Sequence, residues 1–317
     1  MAVLLPTLNQ MGFLLLLIII GFVLVRCKII PAEGATVVSK LETYVLVPAL
    51  VMGTFMNNFT TDRIGTAGQY FLVGLVVILL SIPIAILIGS KFSKNFDLRN
   101  IYIYGLAFSN FGFMGNAVVQ ALFPDIFMEY LIFVLPFWMF IYMWGTPYLL
   151  MSSEQDRGFL SGLKRLVNPM FIAMIIGIIL GVTNAPVPSF LSNGITTLGS
   201  CMSPLAMLLT GMTIGRIKLK SAFMSIPIYL VSFIRLVLIP LAAIGILMLL
   251  GNFMELSYGL CLCTVAALAM PLGLSTIVVP AAYGKDTTDA AKMALISHLL
   301  SCATIPVIFM IFEMAIK

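Results

Sequence analysis

Two polar stretches in an otherwise oily chain carry groups suited to holding a small molecule. Residues 107–119 read AFSNFGFMGNAVV, and here Asn110 and Asn116 supply side-chain amides that both donate and accept hydrogen bonds. Gly112 and Gly115 lie between them and loosen a helix by removing side-chain support. Residues 269–286 read AMPLGLSTIVVPAAYGKD, where Ser275 and Thr276 supply hydroxyls and Pro271 and Pro280 remove backbone donors. In hydrocarbon, amides and carbonyls freed in this way are tolerated only where they face protein or a water-filled cavity. Two ionisable residues lie inside apolar runs. Arg235, in SFIRLVLIP, has no Asp or Glu near the middle of any span to pair with, which leaves backbone carbonyls or a ligand carboxylate as partners. His298, the single histidine, is either a proton relay or a hydrogen-bonded packing residue among Ser297, Ser301 and Thr304.

The chemistry that is missing narrows the reading to recognition. An intramembrane enzyme needs a nucleophile with its base, a pair of mid-helix carboxylates or a His/Glu metal motif. This sequence has no HExxH pattern and no mid-span carboxylate, and Ser297 and His298 are neighbours that a helix points apart. The five cysteines are scattered through apolar surroundings and read as small packing residues, Cys261 and Cys263 included. No metal, cofactor or P-loop is expected, and no basic surface fits nucleic acid. The Asn58-Phe59-Thr60 sequon falls in a short loop and reads as chance. The non-protein partners implied are a small organic anion, the lipid bilayer and a coupling ion, H⁺ or Na⁺.

The elements that must position these groups follow from composition. Hydrophobic residues make up 61% of 317 and charged residues 9%, with a mean hydropathy of +1.14. A soluble domain is nearer half apolar and a quarter charged, so the chain reads as an all-α integral membrane protein. Runs long enough to cross the hydrocarbon fall near 8–28, 36–57, 69–91, 100–123, 127–151, 167–183, 191–214, 222–250, 257–282 and 290–316, ten in all. The first run is read as a transmembrane helix and not a cleaved leader, because its basic residues follow it. The most polar connection, 152–166, divides residues 1–151 from 167–317, with five spans on each side. Fourteen of the 17 Lys and Arg fall at odd-numbered connections, Arg63 alone falls at an even one, Arg235 lies within a span and Lys317 ends the chain. Positive connections stay in the cytoplasm, which places both termini outside and fits a bacterial inner membrane.

Five spans is an odd number, so a duplicated five-helix unit must insert upside down relative to the first. Traces of duplication remain. The second span carries LVPALVMGTF and the seventh MSPLAMLLTGM, with Pro48 and Pro204 as helix-break positions. The fourth and ninth spans align through VVxA, at Val118–Ala121 and Val278–Ala281. Interrupted helices at matching places in two inverted halves are the mark of secondary transporters that bind substrate near the bilayer midplane, where the two breaks cross.

The pair of motifs SNFGFMGNAVVQALFPD and ALAMPLGLSTIVVPAAYGKD resembles the auxin efflux carrier family, over the whole chain. That family includes plant auxin carriers and bacterial permeases, some moving malate or malonate. The resemblance implies ten helices as two inverted repeats, alternating access, a homodimer, and a scaffold of the first, second, sixth and seventh spans against a moving domain formed by the other six. It also implies a substrate carboxylate held at Asn110, the match of the family's crossover asparagine, with Ser109 in place of the usual proline. The plant members' acidic group in the third span has no counterpart, since only Gln69 and Tyr70 are polar at its outer end. An aromatic-acid carrier and an uncoupled channel or sensor are the alternatives.

Overall fold

The computed structural model describes residues 3–31, 33–61, 64–151, 164, 167–282 and 285–316. The connection expected over 152–166 therefore lies outside the described residues, Lys164 excepted. Among them the chain is all-helical, and its one β-type pairing is an isolated antiparallel bridge between Ser109 and Leu272. The helices are α1 (Leu4–Arg26), α2 (Gly34–Asn58), α3 (Ile64–Gly89), α4 (Phe96–Ala107), α5 (Phe111–Leu122), α6 (Pro124–Leu150), α7 (Pro169–Thr183), α8 (Ser189–Ile214), α9 (Leu219–Phe223), α10 (Ile226–Gly251), α11 (Tyr258–Ala269), α12 (Ser275–Ala282) and α13 (Thr288–Ile316).

Seven of these helices, namely α1, α2, α3, α6, α8, α10 and α13, are long and apolar enough to cross a bilayer. Three shorter apolar ones, α5, α7 and α11, are 10–17 residues long. The spans expected over 100–123 and 257–282 are each broken into two helices, α4 with α5 and α11 with α12. The breaks remove two of the ten expected long helices, and the third difference is α7, an unbroken helix of 15 residues. Side chains at the ends of α4 and α11 are wholly buried, Tyr104, Phe108, Leu262 and Ala269 among them. In the most apolar window of α3 only 17% of residues are buried, against 61% in α6, so α3 lies at the periphery and α6 inside.

Local chemistry sets where helices start. Asn168 caps α7, its Oδ1 accepting from the backbone of Met170 at 3.0 Å and Phe171 at 3.2 Å. Asn95 caps α4 and Ser257 caps α11 in the same way. Two of the prolines inside long helices follow widened, π-helical turns, Pro48 after residues 42–46 and Pro240 after 234–238. Such turns absorb the carbonyl that proline leaves without a donor. Pro204 sits in the first turn after a one-residue interruption of α8 at Cys201.

Close backbone approach joins α1 to α8 and α2 to α7. A side chain at Gly21 or Gly211 would strike the facing backbone across the α1–α8 contact, and one at Gly177 or Gly181 would do so across α2–α7. These are the four helices that the resemblance assigns to a scaffold.

Asp286 opens α13 by accepting from the Thr288 hydroxyl at 2.6 Å and its backbone N–H at 3.0 Å. These bonds, the hydroxyl's first, hold the carboxyl below its usual range. A lowered carboxylate stabilises the fold above the unfolded value and loses that contribution as pH falls through the folded one. Asp286→Ala is expected to cost about 1 kcal/mol at neutral pH. The melting-temperature difference from wild type should close below about pH 4, and a difference unchanged at pH 3 would remove Asp286 from this role.

Candidate functional site

The two broken helices meet where their backbones are extended. Phe108 and Met270 both leave helical geometry, and the freed groups pair across the gap. The Asn110 N–H donates to the Pro271 carbonyl at 2.8 Å, and the Gly273 N–H donates to the Phe108 carbonyl at 3.2 Å. The Ser109 hydroxyl donates to the Ala267 carbonyl at 2.5 Å, so this serine fastens the break through its side chain. Gly273 is required by proximity, because a Cβ there would lie 2.6 Å from the Phe108 oxygen. Two interrupted strands of backbone thus satisfy one another, as a buried break in a membrane protein must.

Arg235 completes this junction. It lies in the π-helical turn of α10, wholly buried, and its guanidinium donates to the carbonyls of Leu106 (2.9 Å), Ala267 (3.2 Å) and Met270 (3.3 Å). Those oxygens belong to the C-terminal ends of α4 and α11, where the helix dipole leaves partial negative charge. One cation therefore caps two helices at once. Of the partners open to Arg235 from sequence, its neighbours here are backbone carbonyls.

The expected site residues fall into different places. Asn110 is buried, with its Oδ1 facing the Met114 N–H at 3.4 Å and its Nδ2 lying 3.0 Å from His298 Nε2. His298 Nδ1 lies 2.8 Å from the Ala294 carbonyl, which only accepts, so the ring proton sits on Nδ1 and Nε2 accepts from Asn110. His298, read from sequence as relay or packing residue, thus has both nitrogens engaged. Thr276 is turned back onto the Gly273 carbonyl at 2.8 Å. Asn116 is buried with its Oδ1 unpartnered. Gly112 and Gly115 lie in the π-helical turn after the break and not in the break itself. Gly112 seats the Trp138 ring and Gly115 the Tyr130 hydroxyl, so their smallness serves packing. Pro271 alone among the expected break residues of these two stretches lies in the extended segment.

A cavity of about 360 Å³ opens beside the junction, and Ser275 at the start of α12 lines it. Its other walls come from α2 (Thr43, Tyr44), α6 (Trp138, Tyr142, Thr146) and the α7 cap Asn168. Next to it the Tyr104 hydroxyl faces Ser275 and Thr146, and among the described residues neither it nor the Thr146 hydroxyl closes a well-formed hydrogen bond. Buried polar groups are nearly always paired, so these two hydroxyls at a part-polar pocket of ligand size make it the candidate binding site. Sequence reading missed Tyr104, Trp138, Tyr142 and Thr146, which look like ordinary span residues. Asn168, the cap of α7, also lines the pocket.

A polytopic helical protein with broken helices crossing beside a buried, part-polar pocket has the build of a membrane carrier. The sequence profile described as membrane transport protein matches residues 6–160 and 157–309, and the chain belongs to that family, the auxin efflux carriers of the sequence resemblance. It is a multi-pass membrane transporter. No curated protein matches the sequence.

Proposed function

We propose that the chain is a secondary transporter that moves a small organic monoanion with an apolar or aromatic body by alternating access. In this reading each broken pair counts as one crossing, so ten spans form two inverted five-helix repeats with both termini outside, and the molecule works as a homodimer in a bacterial inner membrane. The observation that carries it is the pocket beside the helix junction, with Ser275 and Thr146 on its wall and the Tyr104 hydroxyl next to it. Among the described residues its walls bear Phe113, Trp138 and Tyr142 and no Lys or Arg. A carboxylate there is met by hydroxyls and by the start of α12, with aromatic faces for the rest of the molecule. Beside that wall the Lys285 ammonium is held by the Met151 carbonyl at 2.8 Å, so a second carboxylate would have to draw it from that bond, which favours a monocarboxylate over malate or malonate.

The test is uptake into proteoliposomes of labelled indole acetate, malate and malonate under separate proton and sodium gradients. Indole acetate uptake should exceed dicarboxylate uptake and fall about tenfold in Ser275→Val, the equivalent of roughly 1.4 kcal/mol of lost binding. Preferred uptake of malate would overturn the monoanion assignment. Equal passive flux of all three, with no accumulation against a gradient, would mean a channel.

A further inference from the structure

We propose that Glu42 binds the proton that this carrier couples to transport, an assignment that rests on the transporter reading for its physiological meaning but not for its test. Glu42 lies on α2 and is wholly buried, and neither carboxyl oxygen has a hydrogen-bond partner. Ser39, Glu42 and Leu46 share one helix face, and all three are buried. That face is fastened to the moving side of the junction, because the Ser39 hydroxyl donates to the Val278 carbonyl of α12 at 2.5 Å. Val278 lines the pocket, as do Thr43 and Val47 on the neighbouring face of the same helix. Glu42 therefore lies one helical turn from the contact between α2 and α12, the surface that must slide if the pocket is to open to the other side, while its own turn packs against α7 and α8.

The surroundings decide its charge. Helices α7, α8 and α12, which pack against this part of α2, carry no Asp, Glu, Lys, Arg, His or Tyr, and Cys201 at the interruption of α8 is exposed. On α2 itself Lys40 and Tyr44 are exposed, away from the buried face. A carboxylate left among these groups would be an uncompensated buried charge, so Glu42 carries a proton while the contact is closed. When α12 slides away and water enters, the carboxyl can ionise and the proton leaves. Proton occupancy and the closed contact then favour one another by linkage.

Intrinsic fluorescence offers a readout without substrate, since Trp138 lines the pocket and Trp144, the other tryptophan, follows on the same helix. Purified full-length protein titrated between pH 5 and pH 9 should show one sigmoidal change. Glu42→Gln, which mimics the neutral acid, should stay at the low-pH value throughout, and Glu42→Met should do the same if the glutamine variant fails to fold. A flat wild-type titration, or a transition kept in a folded variant, would overturn the proposal. A transition driven by sodium at fixed pH and lost in the variant would make Glu42 a sodium ligand and overturn the proton assignment. If the Glu42-dependent transition is present and no tested anion is transported, the transport reading fails and the proton site stands. Where transport is found, accumulation driven by a pH gradient should drop at least tenfold in Glu42→Gln.

Discussion

Arg235→Met is expected to destabilise the protein by about 2–5 kcal/mol, the largest loss from any single substitution considered. The side chain removed holds three carbonyls on the ends of two helices, and Leu106, Ala267 and Met270, which carry them, are buried as Arg235 is. Individual hydrogen bonds between membrane helices are worth only about 0.6–1.7 kcal/mol. The charge of the guanidinium and the simultaneous loss of three bonds raise the sum. Arg235→Lys should recover only part of it, because a compact ammonium cannot reach three acceptors spread as a planar fork. The comparison is made by unfolding in mixed micelles. A variant as stable as wild type but with altered anion preference would mean that the guanidinium serves the ligand and not the junction.

The second large effect concerns a pair that lies 188 residues apart in the chain, Asn110 and His298. Asn110→Ala removes the donor from a buried ring nitrogen and the side chain that opens α5, at a cost of about 1–3 kcal/mol. His298→Ala removes the acceptor and leaves the amide facing a void. If the two residues act as one unit, the double variant should be little worse than the poorer single one, a coupling of about 1 kcal/mol. Additive losses would show that each is held by other contacts. Transport should fall in both single variants together, since the pair fixes the turn after the break. Loss confined to Asn110→Ala would instead favour direct contact between the amide and substrate.

What the sequence made legible has a physical boundary. The two breaks were readable because glycine, proline and paired polar residues are costly in hydrocarbon and stand out there. Their positions shifted, since Gly112 and Gly115 turned out to seat aromatic rings while the chain breaks a few residues earlier, at Phe108 to Asn110. Arg235 could be narrowed to carbonyls or a ligand, because counting carboxylates is possible without coordinates. The partnership of His298 with Asn110 was invisible, as no periodicity links residues on separate helices. Glu42 was not singled out, since no Asp or Glu lies near the middle of a span, although the helix carrying it runs from Gly34 and is covered on that face. Trp138 and Tyr142 carry no sequence signature of a pocket, for aromatic residues in a span serve lipid, core and ligand alike.

The pairing of the two breaks also bears on how the protein is made. Ser109 finds its acceptor on Ala267, 158 residues further along the chain. At a synthesis rate of about 5–20 residues per second, the first broken helix waits on the order of ten seconds in the membrane before its counterpart exists. Until then its exposed amides and carbonyls are open to insertion machinery, chaperones and quality-control proteases. The junction that gives the finished carrier its pocket is therefore also the point in its biogenesis at which the nascent chain is most easily lost.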